Sequence, residues 1–292
     1  MSKLKTDRIE DKDLSEYLNS HSDFSFELSV LKMLRESDVE CQHGGHYQDP
    51  VTAKSREFDI RAIKTIGKFR VRMAVECKNI RKNFPILVSC IPRHEQDSYH
   101  QVALLHEPIK KPYTPDLFLS RATTLTVNGK HSLYKPGEPV GKSTVQVGRR
   151  ANDNEFIAND SELYEKWGQC LSSADDLVRF TYNDGENDKK IYFSTVIPFV
   201  IVPNDRLWTA TYDDDGNLTG GPEPANRCSC FIDKDYEMNK LAGAQMILSH
   251  VEIVTFDGMR NFVEDHLKSQ EDIAKIFPVE ALSDAFYRKF ES

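Results

Sequence analysis

The chain has 292 residues, is 39% apolar and 10% aromatic, and carries a formal net charge of −8, enough apolar material for one folded globular domain with a substantial core. No apolar run long enough to span a bilayer occurs, and MSKLKTDRIEDKDLSEYLNS lacks the apolar stretch of a signal peptide, so a cytoplasmic protein with no membrane partner is expected. Six scattered cysteines without a CxxC pair fit reduced thiols, not a disulfide framework.

The charge is unevenly spread. Residues 54–94 hold eleven Lys or Arg against three acids, a surplus of +8, so the remainder of the chain carries −16. A basic segment on an acidic chain is the electrostatic footprint of a polyanion-binding face, although a solvated hairpin with charged edges has the same composition.

In chain order, residues 1–20 are polar and read as an arm or short helix, leaving residues 21–292 as one domain. From Asp23, a candidate N-cap, FSFELSVLKMLRES has helical spacing. On that helix Glu27 falls in the middle of the arc formed by Val30, Leu31 and Leu34. A carboxylate facing a core is costly unless it is paired or metal-bound. HGGHYQDP follows as a polar, Gly-containing turn, overlapping the stretch CQHGGH. Cys41, His43 and His46 of that stretch lack the tight paired spacing of a zinc site, with Cys228 and Cys230 far off in sequence.

Residues 56–63 and 69–78 suit two strands. In the second, Phe69, Val71, Met73, Val75 and Cys77 take one face, and Arg70, Arg72, Ala74, Glu76 and Lys78 the other. Gly67-Lys68 between them has the signature of a two-residue hairpin loop. That loop puts Ile66 opposite Phe69 and, further along the ladder, Asp59 opposite Glu76. Directly opposed residues have Cβ atoms about 4.5 to 5.5 Å apart. Two carboxylates at that separation repel unless a cation lies between them.

FPILVSCIP, bounded by prolines, reads as a strand buried on both faces, and residues 95–106 as a polar helix. Residues 108–153, rich in Pro, Gly and short β-like pieces, read as a β-hairpin insertion or lobe whose Gln146, Arg149 and Arg150 could reach a phosphate. Residues 160–180 form an amphipathic helix presenting Leu163, Trp167, Leu171, Ala174 and Val178 to the core. Strands are expected at IYFSTVIPFVIVP, LWTATY and MILSHVEIVTF, and helices over 257–276 and 279–291. This is an α/β (α+β) plan with a mixed central sheet flanked by helices.

Asp59, Glu76, Lys78 and Glu27 are the candidate catalytic residues. Carboxylates with open positions suit Mg²⁺, which binds through one or two of them plus substrate phosphates, with Mn²⁺ as a substitute. Such a cation acidifies water and stabilises charge on phosphate, and a lysine alongside can orient that water. Phosphodiester hydrolysis is the reaction this set serves most directly. The competing reading is an ion-paired hairpin in which Lys78 neutralises both acids.

A helix bearing Glu27, then Asp59, then Glu76-Cys77-Lys78 resembles the PD-(D/E)xK superfamily of restriction-endonuclease-like nucleases. The resemblance covers residues 23–106, and Phe58 stands where the family has proline. It implies a restriction-endonuclease-like core, with Asp59, Glu76 and the Cys77 carbonyl as Mg²⁺ ligands, Lys78 as the catalytic lysine and Glu27 as an auxiliary acid. It further implies an endonuclease cutting DNA to leave a 5′-phosphate, in restriction or anti-phage defence. Arg56, Arg61, Arg72, Arg149 and Arg150 are the candidate nucleic-acid contacts. DNA is favoured over RNA, and specificity is expected from the 108–153 segment, a homodimer or an accessory protein. The alternatives are a catalytically silent nuclease fold that binds nucleic acid or serves assembly, and an RNA-directed nuclease.

Overall fold

A computed structural model describes residues 6–20, 22–49, 52–105, 122–184, 190–240 and 243–291. Helices α1 (Asp11–Ser20) and α2 (Phe24–Glu36) precede an antiparallel meander of β1 (Glu40–Gln48), β2 (Ser55–Ile66) and β3 (Phe69–Cys77). Strands β4 (Ile86–Pro92), β5 (Tyr99–Leu105), β6 (Ala122–Asn128), β7 (Pro139–Arg149) and β8 (Phe156–Asn159) follow. Helix α3 (Ser161–Thr181) then crosses to β9 (Tyr192–Val202), which lies parallel beside β3. Strands β10 (Leu207–Thr211), β11 (Glu223–Pro224), β12 (Arg227–Asn239) and β13 (Ala244–Thr255) complete the β structure. Helices α4 (Phe256–His266), α5 (Gln270–Ile273) and α6 (Val279–Glu291) end the chain.

Among the described residues thirteen strands join one mixed sheet, ordered β1-β2-β3-β9-β13-β12-β7-β4-β10-β11, with β5 joined to β6 and β9, and β8 to β7. Helices cover both faces. The odd positions of β3 pack with Val30 and Leu34 of α2 and Met259 and Phe262 of α4. Ala74, on the opposite face, packs with Leu163, Cys170, Ala174 and Val178 of α3. The period-two alternation of β3 thus assigns its apolar set to the α2 layer and its polar set to the α3 layer.

The hairpin has the expected register. Gly67 has φ +60° in the loop, Ile66 faces Phe69, and the ladder runs in step to Ile60 and Val75, with Asp59 and Glu76 next in line. Other segments differ from expectation. CQHGGH is strand β1 and not a turn, with Gly44 at φ +61° absorbing the irregularity. Of the expected helix 95–106, residues 95–105 are a single 3₁₀ turn and strand β5, because His100, Val102 and Leu105 fill buried positions. Strand β4 buries one face only, through Ile86, Val88 and Cys90, with Leu87, Ser89 and Ile91 half-buried, and it lies between β7 and β10, away from β3. Of the stretch 108–153, β6 and β7 are hydrogen-bonded into the large sheet, β7 between β4 and β12, while 106–121 lie outside the described residues. Among the described residues no helix is long and apolar enough to cross a membrane.

Candidate functional site

Asp59 and Glu76 stand on adjacent strands at the end of the β2–β3 ladder, on the face covered by α3. Asp59 Oδ2 accepts from the Cys77 backbone N–H at 2.7 Å, so the carboxylate is fixed by the neighbouring strand. It also accepts from Lys166 Nζ at 2.9 Å, and the same ammonium reaches Glu76 Oε2 at 3.3 Å. The cation between the two carboxylates is therefore a lysine from α3. The Glu76 side chain is almost wholly buried, and its Oε1 has no hydrogen-bond partner among the described residues.

The electrostatics follow from this crowding. Burial first, and the Asp59 charge second, push the Glu76 carboxyl up to about 8. Burial would lower the Lys166 ammonium, but Glu76 and Asp59 outweigh it and hold the pKa above the ordinary lysine value. Glu27, in the first turn of α2, is raised by burial and then by Asp59, while His43 lies 3.5 Å from its carboxylate. Gly44 of β1 stands between the ladder pairs His43–Ile60 and Gly45–Phe58, abreast of Asp59.

Lys78 is placed differently from the expectation. It follows β3, its N–H donates to the Ile201 carbonyl, and its Nζ lies 3.4 Å from Asp23 Oδ2. Asp23 Oδ1 meanwhile accepts from the Asn79 N–H at 2.7 Å, tying the start of α2 to the end of β3. The physical reason is that the chain leaves the ladder after Cys77, so parity along the strand no longer sets where residue 78 points. Lys166 escaped notice although the sequence carried a signal. It heads a stripe with Cys170, Ser173 and Leu177 at helical spacing, all three buried, so a lysine interrupts the core face of α3.

The arginines divide. Arg61 is buried against Asp176 of α3 at 2.8 Å and lies over the Phe58 ring, and Arg72 is buried in an ion pair with Asp184. Both share the Asp59 face as expected, but α3 covers that face, and Asp176 on α3 and Asp184 just beyond its end supply their partners, so neither is presented to a polyanion. Arg56 is exposed, 3.7 Å from Asp49. Arg150 pairs with Asp153, and Arg149 lies over Phe156 and donates to the Asn154 carbonyl. Arg149 and Gln146 meet Lys78 and Arg81 in the wall of a cleft of about 520 Å³.

Hard oxygens suit Mg²⁺ or Mn²⁺, and the unpartnered Glu76 Oε1 beside Asp59 fits such an ion in donor chemistry. Among the described residues, no group of three or more His, Cys, Asp and Glu side chains is arranged to hold a metal. A cation here would rest on two carboxylates and backbone, and would share their charge with Lys166. No family model, curated protein or solved structure matches this chain.

Proposed function

We propose that this protein is a divalent-metal-dependent nuclease with a restriction-endonuclease-like core, hydrolysing phosphodiester bonds of DNA. The observation that carries the reading is the Asp59–Glu76 pair on adjacent strands, with a lysine Nζ at 2.9 and 3.3 Å and one Glu76 oxygen unpartnered. The element order supports it: helix α2, the three-strand meander, helix α3, and β9 parallel beside β3. In this arrangement β1, not β4, is a strand of the compact unit around the site.

Asp59 and Glu76, with the Cys77 carbonyl, would hold the ion, and Glu27 would add negative charge behind them. Bound Mg²⁺ supplies a Lewis acid and a more acidic water. Lys166, whose pKa is raised, is a firm positive charge and a poor base, so its part is to counter charge developing on the phosphate. Lys78, in the cleft wall with Arg81 and Arg149, orients the strand. Water attacks phosphorus, the bond to the 3′ oxygen breaks, and a 5′-phosphate results.

A second reading has an observation of its own. Because Lys166 already bridges the two carboxylates, the site is neutralised without a metal, as in a nuclease-like fold that only binds nucleic acid. The two separate on incubation with plasmid, linear and single-stranded DNA and with RNA, in Mg²⁺, Mn²⁺ or EDTA. The nuclease reading expects metal-dependent cleavage that Glu76→Ala abolishes, with Lys78→Ala and Lys166→Ala dividing the lysine roles. Cleavage surviving in EDTA or in Glu76→Ala overturns the assignment, and binding without cleavage of any substrate selects the second reading.

A further inference from the structure

The cleft beyond Lys78 has a chemistry unlike the rest of this acidic chain. Three of its wall residues, Lys78, Arg81 and Arg149, are cations, and no acid stands among the described residues lining it. Asp23 sits just behind Lys78 and shares its charge. Two aromatic side chains stand in its wall: Tyr17, exposed on α1, and Phe84, half-buried before β4. Gln146 of β7 lies at a buried position, its Nε2 donating to the Phe84 carbonyl and its Oε1 unpartnered. Cations with aromatic faces and amides are the equipment of sites that hold a phosphate with its base.

Size narrows the occupant. A volume of about 520 Å³ falls among sites that take a small molecule, roughly 300 to 1,000 Å³. That admits a nucleotide with its base, whereas a double helix cannot enter and could only lie across the mouth. An aromatic wall is of use only to a base whose face is free, which in a duplex is stacked away.

We propose that this cleft holds an unpaired nucleotide, with its phosphate against Lys78, Arg81 and Arg149 and its base against Tyr17 and Phe84. If the nuclease reading holds, on which this clause rests, the strand delivered to Asp59 and Glu76 is single-stranded. Lys78 joins the two regions, two residues beyond Glu76 and in the cleft wall.

The test is fluorescence anisotropy in EDTA, where cleavage is suppressed, using labelled oligothymidine, oligouridine of equal length and a blunt DNA duplex. Wild type is expected to bind the better of the two single strands at least about tenfold more tightly than the duplex, and whichever is better names the sugar. Arg81→Glu and Tyr17→Ala, both at exposed positions, are each expected to weaken that binding by about tenfold while thermal unfolding is unchanged. Equal or tighter duplex binding overturns the proposal, as does affinity unmoved by both substitutions. Single-strand binding without cleavage in Mg²⁺ or Mn²⁺ removes the nuclease reading and leaves the cleft assignment standing. Cleavage without single-strand preference does the reverse.

Discussion

Lys166 is the residue on which the site turns, because it holds two carboxylates that would otherwise repel at close range. Replacing it by Met leaves Glu76 and Asp59 without their cation in a largely buried setting, which costs about 3 kcal/mol. Burial already keeps the Glu76 carboxyl up at about 8, so the stranded charge is that of Asp59; Asp59→Asn in the same chain removes it, and the double variant is expected to regain most of that loss. Urea denaturation of the four proteins in a double-mutant cycle measures the coupling; additive losses would contradict the ion-pair geometry. The sequence made the Asp59–Glu76 opposition legible, because a two-residue Gly67-Lys68 loop leaves one register. It did not make the lysine legible. A sequence separation of 90 between Glu76 and Lys166 puts the partner on another element, and local parity spoke only for Lys78.

Among the elements, those with strong apolar periodicity were read at nearly their true positions: α2, the β2–β3 hairpin, α3, β9 and β13. Strands β1, β5 and β12 were not, and each hides its alternation in polar residues. β1 spends its positions on Gln, His and Gly, β5 puts His100 in the core, and β12 carries Asp233, Asp235 and Glu237 on its outward positions. β1 is held by β2, the next strand in the chain, whereas β5 and β12 also pair with β9 and β7, far away in sequence, which no local pattern records. Helix α4 shows how tight such long-range fits are. Thr255 caps it by accepting from the Gly258 N–H at 3.0 Å, and a Cβ at Gly258 would lie 1.8 Å from the Asn226 carbonyl oxygen. Thr255→Ala is expected to cost about 1 kcal/mol, the usual worth of a cap. Gly258→Ala is expected to cost more, at least about 2 kcal/mol, because backbone must move. Denaturant midpoints would rank them, and the opposite order would mean that the α4 start is looser than described.

At the scale of the molecule, the layering of one sheet between α2 with α4 on one face and α3 on the other decides which charges meet solvent. It turned Arg61 and Arg72 from expected polyanion contacts into internal ion pairs, and left cations at the rim near Lys78. The same burial governs the response to acid. Burial lowers His100 to about 4, His250 to about 3 and His266 to about 4, the last two with help from Arg93 and Arg227 respectively. A histidine kept neutral in the fold gives stability that is full above its unfolded pKa of about 6.5 and is lost as pH falls toward the folded value. Thermal melts should therefore drop steadily from pH 6.5 to 4, and His100→Asn should flatten the slope by up to one proton; an unchanged slope would contradict the assignment. The account as a whole rests on Asp59 and Glu76 being a place for a divalent cation and not merely a closed ion pair. Calorimetric titration of Mn²⁺ into the full chain and into Asp59→Asn tests that most directly. One site per chain in the wild type, absent from the variant, is the predicted result, and no uptake by the wild type, or equal uptake by both, would contradict it.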